Sequence, residues 1–245
     1  MNTGRTQDRQ PGKRPARGPA LAQDIDLKEL DSSVRSDLRV LPKELAELVG
    51  GHLVMATRLL DEDPALALEH AQVARDKASR LAVAREAAGV AAYHAGEWKI
   101  ALSELRTARR MTGTDVYVPM IVDCERALGR LEKAQESARD ALSGKVSATV
   151  KAELTIILAG MARDAGQLKE AADIVLSANP AQGPKEDYVA RLRYVLGDIY
   201  EELGEREQAR TWFERAADVD LHGITDAGDR VLELDGFAVV EDDES

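Results

Sequence analysis

Aromatic residues are scarce in this chain: Phe, Trp and Tyr together make up 4% of its 245 residues. So few bulky rings cannot easily fill the core of a β-sandwich. Ala is conspicuous instead, and an Ala-rich chain suits closely packed helices, because Ala is the best helix former and lets helix backbones approach. Cysteine occurs once, as Cys124, which excludes an internal disulfide framework and a cysteine metal cluster and fits a reducing cytoplasm. No apolar run reaches the ~18 residues that a spanning helix needs. The N-terminus is basic but no apolar stretch follows it, so it does not read as a secretory signal. These absences lead us to expect a cytoplasmic protein with no membrane association.

Charge is plentiful and unevenly spread. The formal net charge is −11. Residues 1–20 carry Arg5, Arg9, Lys13, Arg14 and Arg17 against Asp8 alone, which leaves −15 on the remainder. The body should therefore repel nucleic acid while the arm could attract it. Residues 1–23 also hold Pro11, Pro15 and Pro19 and almost no large apolar side chain, a composition that cannot offset the entropy of ordering. We expect a disordered basic arm there, and an acidic tail at 237–245 that contains Glu241, Asp242, Asp243 and Glu244.

Everything between reads as helix. Leu27, Leu30, Val34, Leu38 and Leu41 are spaced three, four, four and three apart, which predicts one helix ended by Pro42. Further apolar stripes predict helices near 43–60, 65–78, 80–95, 98–111, 118–128, 131–142, 147–165, 168–178, 186–203, 206–219 and 226–234. No alternating strand pattern occurs.

The stripes repeat in register. Gly96, Gly129, Gly166 and Gly204 stand 33, 37 and 38 residues apart. Five residues after each comes an alanine (Ala101, Ala134, Ala171, Ala209), and twelve after each comes another (Ala108, Ala141, Ala178, Ala216). A glycine just past a helix can take the left-handed conformation that ends it. Alanines seven apart lie on one side of the following helix and let it sit close to its partner. Such pairs cannot bury their apolar faces alone, so they stack.

This frame resembles the tetratricopeptide repeat family. The fit is fullest in the last unit, where Leu196, Gly197, Tyr200, Gly204, Ala209, Phe213 and Ala216 stand at the family's positions. The Trp expected near Arg193 is absent, and the neighbouring Tyr194 is a candidate substitute. An earlier unit is visible at 48–81, with Ala67 and Ala74 seven apart and Asp61-Glu62-Asp63-Pro64 in place of the turn glycine. The long spacings imply insertions of about three and four residues relative to the family period of 34; Asn179–Pro184 is one candidate stretch. The resemblance implies an all-α fold, an α–α superhelix of the tetratricopeptide type with about five helix pairs. The expected organisation is a basic arm at 1–23, a capping helix at 24–42, the repeat body at 43–223, a second capping helix at 224–236 and the tail at 237–245. The chain also resembles small tetratricopeptide proteins of high-GC bacteria.

Signatures of chemistry are missing. There is no His-Glu-x-x-His and no Gly-x-Ser-x-Gly. Ser143-Gly144-Lys145-Val146-Ser147 imitates the end of a phosphate loop, but the required earlier glycine is Arg139 and no strand precedes it. His52, His70, His94 and His222 lack metal-ligand spacing. Cys124 falls mid-helix and reads as a small buried hydrophobe, and Trp98 and Trp212 read as helix packing. We expect no enzyme activity, no metal and no cofactor.

The resemblance further implies that long side chains on first helices line a groove that holds a peptide or protein. Counted in the family's phase, the candidates are Tyr93, His94, Asp123, Arg126, Arg163, Tyr194, Asp198 and Glu201. The cations and asparagines of the family's carboxylate-clamp subtype are absent from the comparable positions, so an acidic peptide terminus is not expected in the groove. Mixed charge there suits a mixed or basic peptide. Three other functional readings stand beside this adaptor reading. The chain could be an RNA- or ribosome-associated factor tethered by Arg5, Arg9, Lys13, Arg14 and Arg17, although the arm lacks aromatics for base stacking. It could be a regulatory subunit of an enzyme complex, or it could self-associate through an exposed repeat face.

Overall fold

The computed structural model describes residues 18–237, and among these it holds twelve α-helices and no strand. Residues 1–17 of the expected arm and the acidic run at 241–244 lie outside the described residues, whereas residues 18–23 are placed, with Leu21 close to Gly51 of α2. The chain divides into two compact units, Met1–Gly96 and Glu97–Ser245.

The first unit holds α1 (Ser32–Leu38), α2 (Lys43–Arg58), α3 (Pro64–Lys77) and α4 (Ala82–His94). The turn between α2 and α3 is built as the sequence predicts. Asp63 Oδ1 accepts a hydrogen bond from the Leu66 amide at 3.0 Å, and Pro64 occupies the first helical position. An N-terminal proline loses no intrahelical bond there and is preset for the helix. Ala67 and Ala74 are fully buried. Leu38, Val49, Leu53 and Val54 share a core with Ala74 and Ala84.

The single helix predicted over Leu27–Leu41 is not formed. Residues Leu27–Glu29 make one 3-10 turn, Leu30 is extended, and α1 begins only at Ser32. Local chemistry explains the break. Asp26 and Glu29 form a reciprocal capping box around the short turn, which satisfies its free amides without further helix. Arg58, at the end of α2, then pins the segment through Asp24 at 3.1 Å and Glu29 at 2.8 Å. Close approach is possible because α2 presents Gly50, where a β-carbon would come within 2.8 Å of Leu27.

The second unit opens with α5 (Trp98–Thr112). Three helix pairs follow: α6 (Val118–Ala127) with α7 (Leu131–Ser143), α8 (Ala148–Asp164) with α9 (Leu168–Ser177), and α10 (Asp187–Glu202) with α11 (Arg206–Ala217). A last helix, α12 (Ala227–Leu234), packs on α11. The first helices α6, α8 and α10 pack side by side. Gly129, Gly166 and Gly204 have φ between 73° and 75°. Each turn is closed the same way: Arg130, Gln167 and Glu205 donate back to the carbonyls of Glu125, Ala162 and Tyr200, all at 2.9 Å. This crossed pattern of glycine-terminated helices satisfies carbonyls that the helix end leaves free.

Ala134, Ala171, Ala209 and Ala216 are fully buried, as the register predicts. Ala141 is only half-buried, and Ala178 departs further. It is exposed, because α9 ends at Ser177 and Asn179 turns left-handed with φ 51° before Pro180. The inserted residues follow at once as a 3-10 turn, Pro180–Gln182. Arg193 secures that turn. Its buried guanidinium donates to the carbonyls of Pro180 at 3.0 Å, Ala181 at 3.4 Å and Arg215 at 2.7 Å. The place of the missing Trp is therefore taken by Arg193 itself and not by Tyr194, which turns its ring to Phe213.

Candidate functional site

The residue three before each turn glycine is Tyr93, Arg126, Arg163 or Glu201. This phase leaves all four first-helix side chains half-buried or exposed. In the second unit it produces a run of ion pairs across successive first helices. Arg126 Nε donates to Asp123 on its own helix at 2.8 Å, and Nη1 donates to Asp164 on α8 at 3.0 Å. Arg163, beside Asp164, reaches forward to Glu202 and to Asp198 on α10, the latter at 3.9 Å. The other oxygen of Asp198 accepts from Arg230 of α12 at 3.1 Å. Apart from the Arg126–Asp123 pair within α6, each link bridges two helices, and charges of opposite sign alternate along the run.

Arg230 is the residue the sequence reading missed. It donates to Tyr194 Oη at 3.0 Å and to Glu201, lies 3.6 Å from Glu233, and places its guanidinium 4.7 Å from the centre of the Phe213 ring. The repeat register gives no signal for it, because α12 has no second helix and falls outside the frame. One sequence feature does mark it: it is the only cation of α12. Burial works against its charge, but Tyr194 and Glu201 outweigh that and push its pKa up. Burial also raises the Asp198 carboxyl above the usual carboxylate range, although Arg230 and Arg163 pull it down. Tyr194 is raised to about 12, chiefly by burial. The Asp123, Arg126, Arg163, Tyr194, Asp198 and Glu201 of the sequence reading thus lie in this run. Their charges are paired with one another and with Asp164, Glu202 and Arg230, and do not stand free.

Tyr93 and His94 belong to the first unit. Tyr93 is half-buried and meets the His94 ring edge to face at 6.1 Å between centres. His94 Nδ1 is 3.7 Å from Asp61 in the turn after α2. The arm residues Arg5, Arg9, Lys13, Arg14 and Arg17 lie outside the described residues.

Other polar groups have structural partners. His52 and His70, on α2 and α3, are buried with their Nδ1 atoms 2.9 Å apart. Glu125 is fully buried and accepts from Arg106 and from Ser137 Oγ, the latter at 3.1 Å. Cys124 is fully buried and its thiol is pushed up to about 12, mainly by burial, which suppresses the reactive thiolate. Trp212 is buried in the core of the last repeats, and the Arg215 guanidinium lies 4.8 Å above its ring. Ser147 of the loop-like Ser143–Ser147 segment caps α8, accepting from the Val150 amide at 3.2 Å. Among the described residues, no group of three or more His, Cys, Asp or Glu side chains is placed to hold a metal. No described helix is long and apolar enough to cross a membrane.

Comparison with known proteins agrees with the fold. Residues 190–222, spanning α10 and α11, match the model of the tetratricopeptide repeat family. No curated protein matches the chain. Among solved structures the chain is similar to the apo form of the quorum sensor NprR from B. thuringiensis, at 14% identity and a TM-score of 0.58. That likeness covers 85% of this chain and 64% of the NprR chain, so this chain spans less than two thirds of its relative. It is also similar to YrrB, described as a TPR protein with an unusual peptide-binding site, at 19% identity, 76% and 91% coverage and a TM-score of 0.42. A tetratricopeptide repeat therefore stands at residues 190–222, within an all-α helical-repeat fold.

Proposed function

We propose that this protein is a non-catalytic adaptor that holds a peptide or protein segment against the first-helix face of its second unit. In this reading residues 43–223 form the repeat body, and the segments at 24–42 and 224–236 cap it. The observation that carries the reading is the run of paired charges from Asp123 through Arg126, Arg163 and Asp198 to Arg230. A partially exposed ion pair contributes little to stability, so stability alone gives weak reason to string several along one face. Such pairs can be exchanged for equivalent pairs with a partner at small net cost, and alternating charge favours one register of a mixed or basic ligand. The tetratricopeptide repeat at 190–222 supports the same reading.

The test is affinity capture of the full chain from its native cell, beside a variant carrying Arg126→Glu and Arg163→Glu. Loss of specific partners from the variant, with helix content unchanged by circular dichroism, is the expected result. An unchanged set of partners would count against the face.

A further inference from the structure

Among the described helices the most basic is α5, which contributes no residue to that run of ion pairs. α5 carries Lys99, Arg106, Arg109 and Arg110 against one carboxylate, the buried Glu104. Lys99, Ser103, Arg106 and Arg110 follow at intervals of four, three and four residues, so they share one side of the helix. Arg130, at the start of α7, lines the same cavity, which has a volume of about 320 Å³. Four cations line this cavity, with the hydroxyls of Ser103 and Thr107 and no carboxylate. Arg106 also lines a second cavity, of about 450 Å³, among α5, α6 and α7, where Lys133 and Lys145 stand beside Asp115 and Asp140 and the charge is mixed.

Pairing separates this cleft from the first-helix face. Arg106 is held in place by the buried Glu125, which cancels its charge. Arg110 donates to Thr107 Oγ1 at 2.9 Å, which fixes its guanidinium. Lys99, Arg110 and Arg130 form no ion pair with any described residue. Like charges gathered without counter-charges repel each other, and a ligand that supplies anions relieves that repulsion.

We propose that this cleft on the second-helix side docks a short acidic segment of a partner protein, with carboxylates spaced to meet Lys99, Arg110 and Arg130. The eleven helical steps from Lys99 to Arg110 span roughly 16 Å, the reach of about five residues of extended chain. Two observations favour an acidic peptide over nucleic acid. No aromatic side chain lines the cavity to stack a base. The chain's net charge of −11 also repels a long polyanion more strongly than a short one.

The experiment is fluorescence anisotropy of a rhodamine-labelled hexaglutamate peptide with the full chain. Changing Lys99, Arg110 and Arg130 together to Glu should weaken binding by roughly tenfold or more, and added salt should weaken it in the wild type. Changing the three to Gln should weaken it less. Arg126→Glu with Arg163→Glu should leave it unchanged, which separates this site from the first-helix face. No binding by the wild type, or equal binding by the triple variant, would overturn the proposal. Tighter binding of a labelled single-stranded RNA to the same three residues would overturn the acidic-peptide assignment.

Discussion

The guanidinium of Arg230 lies 3.1 Å from the carboxylate of Asp198, 32 residues earlier in the chain, with both side chains about three-quarters buried. It ties α12 to the first helix of the last repeat. Breaking either partner leaves the other partly buried and uncompensated, which costs more than the pair itself contributes. A double-mutant cycle with Arg230→Gln and Asp198→Asn should give a coupling energy of about 1 kcal/mol by urea unfolding. A coupling near zero would mean that this pair does not hold α12 in place.

Two helical glycines should respond to alanine in opposite directions. At Gly197 a β-carbon would fall 2.5 Å from the Phe213 ring, which is itself fully buried. Gly197→Ala should destabilise by about 1–3 kcal/mol through overpacking. At Gly160, inside α8, a β-carbon meets nothing within 4 Å. Gly160→Ala should stabilise by roughly 0.5–1 kcal/mol through helix propensity. Thermal unfolding of the two variants checks the pair, and a Gly197→Ala variant as stable as the wild type would contradict the close packing of α11 on α10.

The repeat was legible because its marks are backbone requirements. Glycines with positive φ and alanines at a helix crossing cannot be exchanged freely, so Gly129, Gly166, Gly204, Ala134, Ala171 and Ala209 appear in the sequence where the structure needs them. The end segments were less legible. The Leu27–Leu41 stripe has helical spacing, but a capping box and the grip of Arg58 decide its geometry, and both depend on residues brought together by folding. The candidate face was read in part. The register named Arg126 and Arg163 but not Arg230, since α12 stands outside the register.

The same limit hid Arg193, whose role depends on an insertion placed against it. Arg193→Leu would keep much of the buried volume but leave the carbonyls of Pro180, Ala181 and Arg215 without their donor. A loss of about 1–3 kcal/mol is expected, with faster amide exchange through 180–189. Protection unchanged across that segment would show that the turn holds itself.

The buried pair His52 and His70 should make the first unit sensitive to acid. Burial holds both rings below the ordinary imidazole range, and for His52 the neighbouring His70 adds to the effect. Unfolded histidines titrate near 6.5, so as the pH falls through that value the unfolded chain takes up protons that the folded chain refuses. The pair's contribution is full above the unfolded pKa and declines as the pH drops toward the folded values. His222 has the opposite sign: Asp187, 2.9 Å away, raises its pKa, so its contribution is present at low pH and is lost as the pH rises through the folded value. The urea midpoint should fall more between about pH 7.5 and pH 5.5 for the wild type than for a variant with His52→Leu and His70→Met. Equal slopes would show that the pair does not set the response.

Photo-crosslinking tests the role of the first-helix face most directly. A benzophenone amino acid would replace Glu202, which lies on that face beside Arg163, or Glu207, an exposed residue on the second helix α11. In the native cell, the account predicts a discrete adduct from position 202 and none from position 207. Adducts from position 207 alone, or from neither position while partners still co-purify, would contradict it.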